Sequence, residues 1–320
     1  MKLNPTFILI LALTLTGCTA LTTTTPIEES SLIEVDSNGT ARHSVNIMEV
    51  IPTPGDSRAQ QGITRHPDGS YFMSQNKHEN NKTVSYLFHV SSDLGSVVSQ
   101  FKIIPEEFTL WDNNYRTHLG QIAINPDDGY LYVPIMDTAA GSPRTGLLRF
   151  DTDLNFLGWI DTTSFSPYID ALAFDGEYIW IDYSILCRFK WAGVFDWENK
   201  KLTSPSSQWE WTRFDRDTDR FSTSQGMQVR DGKIYLVPEC DPVTNRTEKG
   251  YTGIAVYDIS SLIERPKSGD KIVNYPQKVH YFELPEDNYA DHEAFDFISD
   301  TRVIISSARG NGDTLWVLQI

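Results

Sequence analysis

The chain has 320 residues, with 43 Asp and Glu against 27 Lys and Arg and a formal charge of -16. Such an acidic balance argues against a nucleic-acid partner, whose phosphates need Lys and Arg; it fits a soluble body, or one that attracts cations. Apolar residues make up 40% and aromatics 12%, enough for a real core and weighted toward side chains that favour pleated surfaces over helices.

The opening, "MKLNPTFILILALTLTGCTA", places a basic Lys2 before an apolar run from Phe7 to Leu15. The run is too short to span a bilayer, which takes ~20 residues, and reads as the core of a secretory signal. It ends in Leu15-Thr16-Gly17-Cys18. These four residues, directly after the run, resemble the bacterial lipobox; the alternative is an ordinary signal with an incidental Cys. The resemblance implies a signal over 1–17, lipidation of Cys18, and anchoring to the lipid bilayer of a bacterial cell envelope. Thr19 in place of Asp implies the outer membrane in a cell that has two. Residues 18–42 are rich in Thr, Ser, Glu and Asn, too poor in apolar surface to fold alone, and are expected to be a flexible tether to a domain over 43–320.

Five stretches then repeat one layout: "QQGITRHPDGSYFMSQ", "LGQIAINPDDGYLYVP", "IDALAFDGEYIWIDYS", "SQGMQVRDGKIYLVPE" and "HEAFDFISDTRVIISS". Each has a polar pair, a short alternating strand, a tight turn centred on Asp-Gly or Ser-Asp, and a second alternating strand. The apolar anchors Ile63, Ile122, Leu172, Met227 and Phe295 recur at intervals of roughly 50 to 70 residues, the mark of a repeat architecture. Two further strand-like segments follow each hairpin, except that the fifth has only "DTLWVLQI" before Ile320. A spare segment, "SVNIMEVIP", precedes the first hairpin and is expected to complete the fifth unit. The expected fold is therefore all-β, a five-bladed β-propeller of four-stranded blades whose ring an N-terminal strand closes. A β-sandwich with similar hairpins is the competing arrangement.

In a propeller the first strand of each blade lines the axis. Ahead of the anchors stand Gln61, Gln121, Asp170, Gln225 and Glu293, a ring of amides and carboxylates that must find partners: each other, water, a cation or a ligand. Asp170 and Glu293 with the amide oxygens would form an all-oxygen set suited to Ca²⁺. The entering loops "WDNNYRTHLGQ" and "PEDNYADHEA" bring Tyr115, Arg116 and His118, and Tyr289, Asp291 and His292. Either His can act as general base with Asp291 as orienter, or make a structural hydrogen bond. Beyond Cys18, Cys187 and Cys240 are an even pair on adjacent blades, compatible with a disulfide in an oxidising compartment. No GxSxG, P-loop, GxGxxG or HExxH motif occurs.

The hairpins "QGI…PDGSYFMS" and "ALAFDGEYIWI" resemble those of bacterial extracytoplasmic propellers of the NHL-like, gluconolactonase-like and SdiA-regulated types, over roughly residues 44 to 320. Five-bladed calcium-activated nucleotidases hold a metal at the starts of inner strands; Gln61, Asp170, Gln225 and Glu293 are the matching positions, with fewer carboxylates. Five-bladed glycosidases need three axial carboxylates, of which only Asp170 and Glu293 are in the ring. Two functions follow as expectations: a membrane-tethered protein that binds a small molecule, glycan or envelope protein at the channel mouth, or a Ca²⁺-dependent hydrolase of a lactone, ester or phosphoester.

Overall fold

A computed structural model describes residues 31–35, 37, 39–54, 60–79, 82–103, 117–137, 144–163, 169–176, 178–182, 186–202, 210–212, 224–238, 253–260, 277–284, 291–308 and 313–320. Among these residues every regular element is a strand.

The chain begins with β1 (Ser31–Val35), β2 (Ala41–Ser44) and β3 (Asn46–Pro52). Sheet one is the antiparallel run β4 (Gln60–Arg65), β5 (Tyr71–Glu79), β6 (Lys82–Val90) and β7 (Val97–Ile103). Sheet two contains β8 (Thr117–Leu119), β9 (Ala123–Ile124), β10 (Leu131–Asp137), β11 (Arg144–Phe150) and β12 (Phe156–Asp161). Sheet three contains β13 (Ala171–Asp175), β14 (Tyr178–Asp182) and β15 (Leu186–Lys190). Next in the chain come β16 (Phe195–Asp196) and β17 (Lys201–Leu202), which return to sheet two, and then β18 (Glu210–Thr212), which completes sheet three. Sheet four is built on β19 (Ser224–Arg230), β20 (Lys233–Pro238), β21 (Gly253–Asp258) and β22 (Gln277–Glu283). Sheet five is β23 (Asp291–Phe297), β24 (Arg302–Ala308) and β25 (Thr314–Gln319), completed by β3.

The pairing of β3 with β25 is antiparallel, from Thr314↔Pro52 to Gln319↔Asn46. The first and last parts of the described chain thus share one sheet, and β25 is left without an open edge.

Apolar residues fill the spaces between sheets rather than one central core. Phe72, Leu87, Leu119, Ile122 and Leu148 pack between sheets one and two; Tyr132, Leu147, Leu172 and Ile179 between two and three. Trp180, Met227, Leu236 and Tyr257 fill the space between three and four, and Val237, Ile254, Phe295 and Trp316 that between four and five. The fifth cluster, with Ile63, Met73, Phe88, Ala294, Ile304 and Leu315, joins five back to one. The anchors Ile63, Ile122, Leu172, Met227 and Phe295 are all 0% exposed, and each lies in a different cluster. A sheet buried on both faces needs apolar residues on both sides of its strands, which is why the inner hairpins carry so few charges.

The sheets are not uniformly four-stranded. Three have four strands, one six and one seven. In sheet two the β16–β17 hairpin adds to the outer strand, with Lys201 opposite Asp161 in a parallel pair. Its Trp197 lies 4.0 Å from the Arg149 guanidinium and packs near Tyr132 at 5.8 Å, so a cation–π contact and ring packing hold the addition in place.

In sheet four the addition comes from the segment expected to be a tether. β2 runs parallel to β22 and β1 folds back antiparallel on β2. Gly39, at φ +83°, makes the turn between them, a conformation that suits Gly. Arg42 pairs with Glu34 on one side and Glu283 on the other, and Thr40 Oγ1 donates to the Lys278 carbonyl at 3.2 Å. The tether boundary at residue 42 is therefore corrected: Ser31–Val35 and Ala41–Ser44 belong to the sheet. Composition measures the surface a segment can bury, and this one is held by backbone pairing to a free strand edge and by ion pairs instead.

Candidate functional site

The polar pairs ahead of the anchors are where the inner strands lose regularity. In β4 the ladder skips a residue between Gln60 and Gly62, leaving Gln61 as the extra residue. In β19 it skips between Ser224 and Gly226, leaving Gln225. In β23 it skips between His292 and Phe295, leaving Glu293 and Ala294. In sheet two Gly120, Gln121 and Ile122 interrupt the inner strand between β8 and β9, and in sheet three Asp170 stands just ahead of β13. All five expected ring positions thus sit at a bulge, a break or a strand start. Such irregularities bend the strand and re-aim a side chain, and they gather next to functional sites.

Glycines beside them let neighbouring inner strands approach closely. A Cβ on Gly62 would lie 2.6 Å from the Gly120 carbonyl oxygen, and one on Gly120 would lie 2.1 Å from that of Asp170. The Gln121 amide N–H donates to the same Asp170 carbonyl at 2.9 Å, and Ser74 Oγ donates to the Gly120 carbonyl at 3.0 Å. The "QQG" and "LGQ" stretches therefore couple sheets one, two and three at the backbone.

Gln121 is a strut. Its side chain is 0% exposed; Nε2, with two hydrogens, lies within hydrogen-bonding distance of the carbonyls of Ile63 at 2.7 Å, Ile122 at 3.2 Å and Phe295 at 3.3 Å, while Oε1 has no partner. One amide thereby ties sheets one, two and five, and Gln228 Nε2 reaches the same Phe295 carbonyl at 3.3 Å. Gln61 is buried, with Nε2 donating to the Gln60 carbonyl at 3.4 Å. Gln225, Asp170 and Glu293 are half-buried; Asp170 and Glu293 stand on sheets three and five.

At one end of the inner strands lies an arc of buried polar groups across sheets five, one and two. Gln60 begins β4 at 0% exposure. Its backbone N–H donates to Asp313 Oδ2 at 2.8 Å, while the amide Nε2 and Oε1 have no hydrogen-bond partner. Asn76, the residue after Gln60's ladder partner Gln75 on β5, accepts at Oδ1 from the backbone of Leu119 at 3.2 Å and from Ser85 Oγ at 2.7 Å; its Nδ2 has no partner. That bond brings β8 and His118 to the same end. On sheet five His292 pairs with Ser307 in the ladder, and its ring meets the Trp316 edge at 5.3 Å. His118 Nδ1, His292 Nδ1 and Ser307 Oγ also lack partners. Burial holds both imidazoles down to a pKa of about 4, opposed in part at His292 by a hydrogen bond with the Ser306 backbone, so both are neutral at physiological pH. A buried amide or imidazole nitrogen without a partner costs roughly 1–3 kcal/mol, and native structures keep few of them unless something else supplies the bond.

Of these groups the sequence indicates His118 and His292. Gln60 was hidden by its neighbour Gln61, the more conspicuous residue of the pair. Asp313 lies in the "RGNGD" stretch, readable only as a turn, yet its carboxylate, which accepts from the Gln60 backbone, joins the last sheet to the first, while its carbonyl accepts from Thr53 at 3.4 Å at the end of the β25–β3 pairing. At the far end of β23 is a second group the sequence does not flag. Asp296 accepts from Thr64 Oγ1 at 3.1 Å and from the backbone of Arg65 and Phe297 at 2.5 and 2.6 Å, and burial pushes its carboxyl up to about 6.

Tyr115, Arg116, Tyr289, Cys18 and Cys240 lie outside the described residues, as do the signal and most of the expected tether. Asp291 opens β23, and Cys187 pairs in β15 with Ile181 and Trp211. Among the described residues no group of three or more His, Cys, Asp and Glu side chains is placed to share a metal ion.

No family model matches the chain, and no curated protein matches it. Solved structures of similar shape share little sequence. The α-L-arabinofuranosidase from Lactobacillus brevis is 12% identical, with a TM-score of 0.47, over 82% of this chain and 90% of that one. The GDP-Man-dependent mannosyltransferase MPT-1 from Leishmania mexicana is 11% identical, with a TM-score of 0.47, over 86% and 90%. The Dos1 propeller is 11% identical, with a TM-score of 0.37, over 90% and 82%.

Proposed function

We propose that this chain is a lipid-anchored, extracytoplasmic β-propeller of five blades that binds a small, uncharged, hydroxyl-rich ligand such as a glycan at one mouth of its ring. The five sheets with five intervening apolar clusters support the propeller, as does the shared sheet of β3 and β25. The Lys2, Phe7–Leu15 and Leu15-Thr16-Gly17-Cys18 pattern supports the anchor.

One observation carries the binding reading. The arc of Gln60, Asn76, His118, His292 and Ser307 offers buried donors and acceptors that the protein leaves unmatched. Amides and neutral imidazoles present one donor beside one acceptor, the pattern that hydroxyl groups complement. A few convergent polar groups at the end of a rigid apolar scaffold is the usual make-up of a small-molecule site. In the sequence Tyr115 and Tyr289 stand three residues ahead of His118 and His292.

Screening the detergent-solubilised full chain on a glycan array tests this. Binding to defined neutral glycans, lost on Gln60→Leu and His118→Phe, supports it; equal signals from wild type and both variants contradict it. Incorporation of an alkyne-palmitate label that disappears with Cys18→Ser tests the anchor separately.

A further inference from the structure

The first strands of the chain carry an apolar margin that the mouth does not use. Five of the seven large apolar side chains exposed among the described residues lie on two strands: Leu32 and Val35 on β1, and Ile47, Met48 and Val50 on β3. Single exposed apolar residues are ordinary; five on two outer strands are a patch, and patches mark contact surfaces.

The ladders show which way these residues look. β1 pairs with β2 as Leu32↔His43 and Val35↔Ala41, with the register shifting between Leu32 and Glu34. Residues opposite each other share a face of the sheet, so Leu32, Val35, Ala41 and His43 stand on one face. The His43 ring stacks on Phe282 at 5.0 Å, and Phe282 packs on the cluster between sheets four and five. On β3, Ile47 is opposite Leu318 and Val50 opposite Trp316, both members of that same cluster. Leu32, Val35, Ile47 and Val50 thus flank one space from two sides, at the outermost strands of sheets four and five. Buried Val45 carries the chain from one sheet to the other. The acidic residues of these strands look away. Glu34 pairs with Arg42 on the opposite face of β1 and β2. Glu49 lies opposite Val317, on the side of sheet five where Ile51 packs toward sheet one.

We propose that this margin rests on the lipid bilayer, so that the outer edges of sheets four and five face the membrane. The occupant is taken from the proposed anchor at Cys18, on which this inference rests. Ser31 opens β1 thirteen residues after Cys18, and a chain of that length spans at most about 45 Å. The patch therefore lies on the strands nearest the expected lipid. Apolar side chains gain by entering the boundary between headgroups and acyl chains. The chain's net charge of -16 gives no attraction to anionic headgroups, so the contact would be apolar and insensitive to salt. Held by its rim, the body would keep the polar arc at the ends of its inner strands open to solvent.

The test places p-benzoylphenylalanine at Val35, Val50 or Val98 of the full acylated chain in phosphatidylcholine vesicles, followed by ultraviolet crosslinking and mass spectrometry. Val98 is equally exposed, at 60%, but lies on β7 of sheet one. Lipid adducts at positions 35 and 50 should exceed those at 98 by about fivefold or more, at low and high salt alike. Equal adducts at the three positions, or adducts to a second copy of the chain in place of lipid, would overturn the proposal while leaving the anchor intact. Sedimentation of the Cys18→Ser chain with the same vesicles separates the two readings from the other side. Binding that falls about tenfold when Leu32→Ser and Val50→Ser are added supports the margin even where Cys18 carries no lipid. Binding that is absent, or unchanged by that pair, counts against it.

Discussion

Gln60→Leu removes an amide that is wholly buried and has no partner on either Nε2 or Oε1, while the backbone N–H that bonds Asp313 is untouched. Leu has nearly the volume of Gln without the polar end. An unmatched buried amide costs roughly 1–3 kcal/mol, so the ligand-free variant should be more stable than wild type by about 1–2 kcal/mol after imperfect repacking. A gain of that size raises the melting temperature by roughly 2–4 °C per kcal/mol in domains slightly smaller than this one. The same change should abolish glycan binding. Urea denaturation and thermal melting of the two proteins, with and without ligand, read both effects. The opposite pattern, a loss of more than about 1 kcal/mol with binding intact, would refute the reasoning and make Gln60 a structural residue.

Other consequences follow from particular contacts. Gly120→Ala sets a Cβ 2.1 Å from the Asp170 carbonyl, backbone against backbone; it should cost about 3 kcal/mol or more by overpacking, measured by urea unfolding, whereas exposed Gly95→Ala should cost far less. Asp296 has a folded pKa of about 6, raised mainly by burial from 3.8. Its contribution is complete below about pH 4 and is lost as pH climbs through 6, worth about 3 kcal/mol over that span. Asp296→Asn should therefore flatten the stability profile from pH 4.5 to 7, and an unchanged slope would contradict the assignment. His118 and His292 act with the opposite sign, since burial lowers their folded values to about 4: their contribution is intact above about pH 6.5 and is lost as pH falls toward 4. Ligand binding should accordingly be flat from pH 8 to 5 and fall near pH 4, as read by titration calorimetry. The proposed lipid anchor predicts that Cys18→Ser moves the protein from the membrane to the soluble envelope fraction.

Much of the fold can be read from hairpin spacing. Ile63, Ile122, Leu172, Met227 and Phe295 stand at one place in each repeat, and each fills a different space between sheets. The pairing of 46–52 with 314–319 follows from counting strands and finding one missing and one spare. What alternation cannot reveal is an edge addition. β1, β2, β16 and β17 bury little surface of their own, and their places depend on partners such as Glu283 and Arg149 that no local pattern marks.

The site is legible in outline for a related reason. A polar pair before an apolar anchor is visible in the text, but a bulge is a mismatch between two strands and appears only in register. Hence Gln61 and Gln225 stand out in the text as polar residues before an anchor, while the unmet amide of Gln60 appears only when its neighbours are placed around it. Gln121 reads as a ligand contact in sequence; in the structure its Nε2 reaches the carbonyls of Ile63, Ile122 and Phe295 while its Oε1 has no partner. Asp313 and Asp296 needed the approach of the first and last sheets, a contact across more than 230 residues.

The most direct measurement is a high-resolution crystal structure of the full chain purified without chelator. The account predicts density for a bound molecule or ordered solvent within hydrogen-bonding distance of the Gln60 amide and of Nδ1 of His118 and His292. Side chains of the protein itself occupying all three of those positions would contradict it.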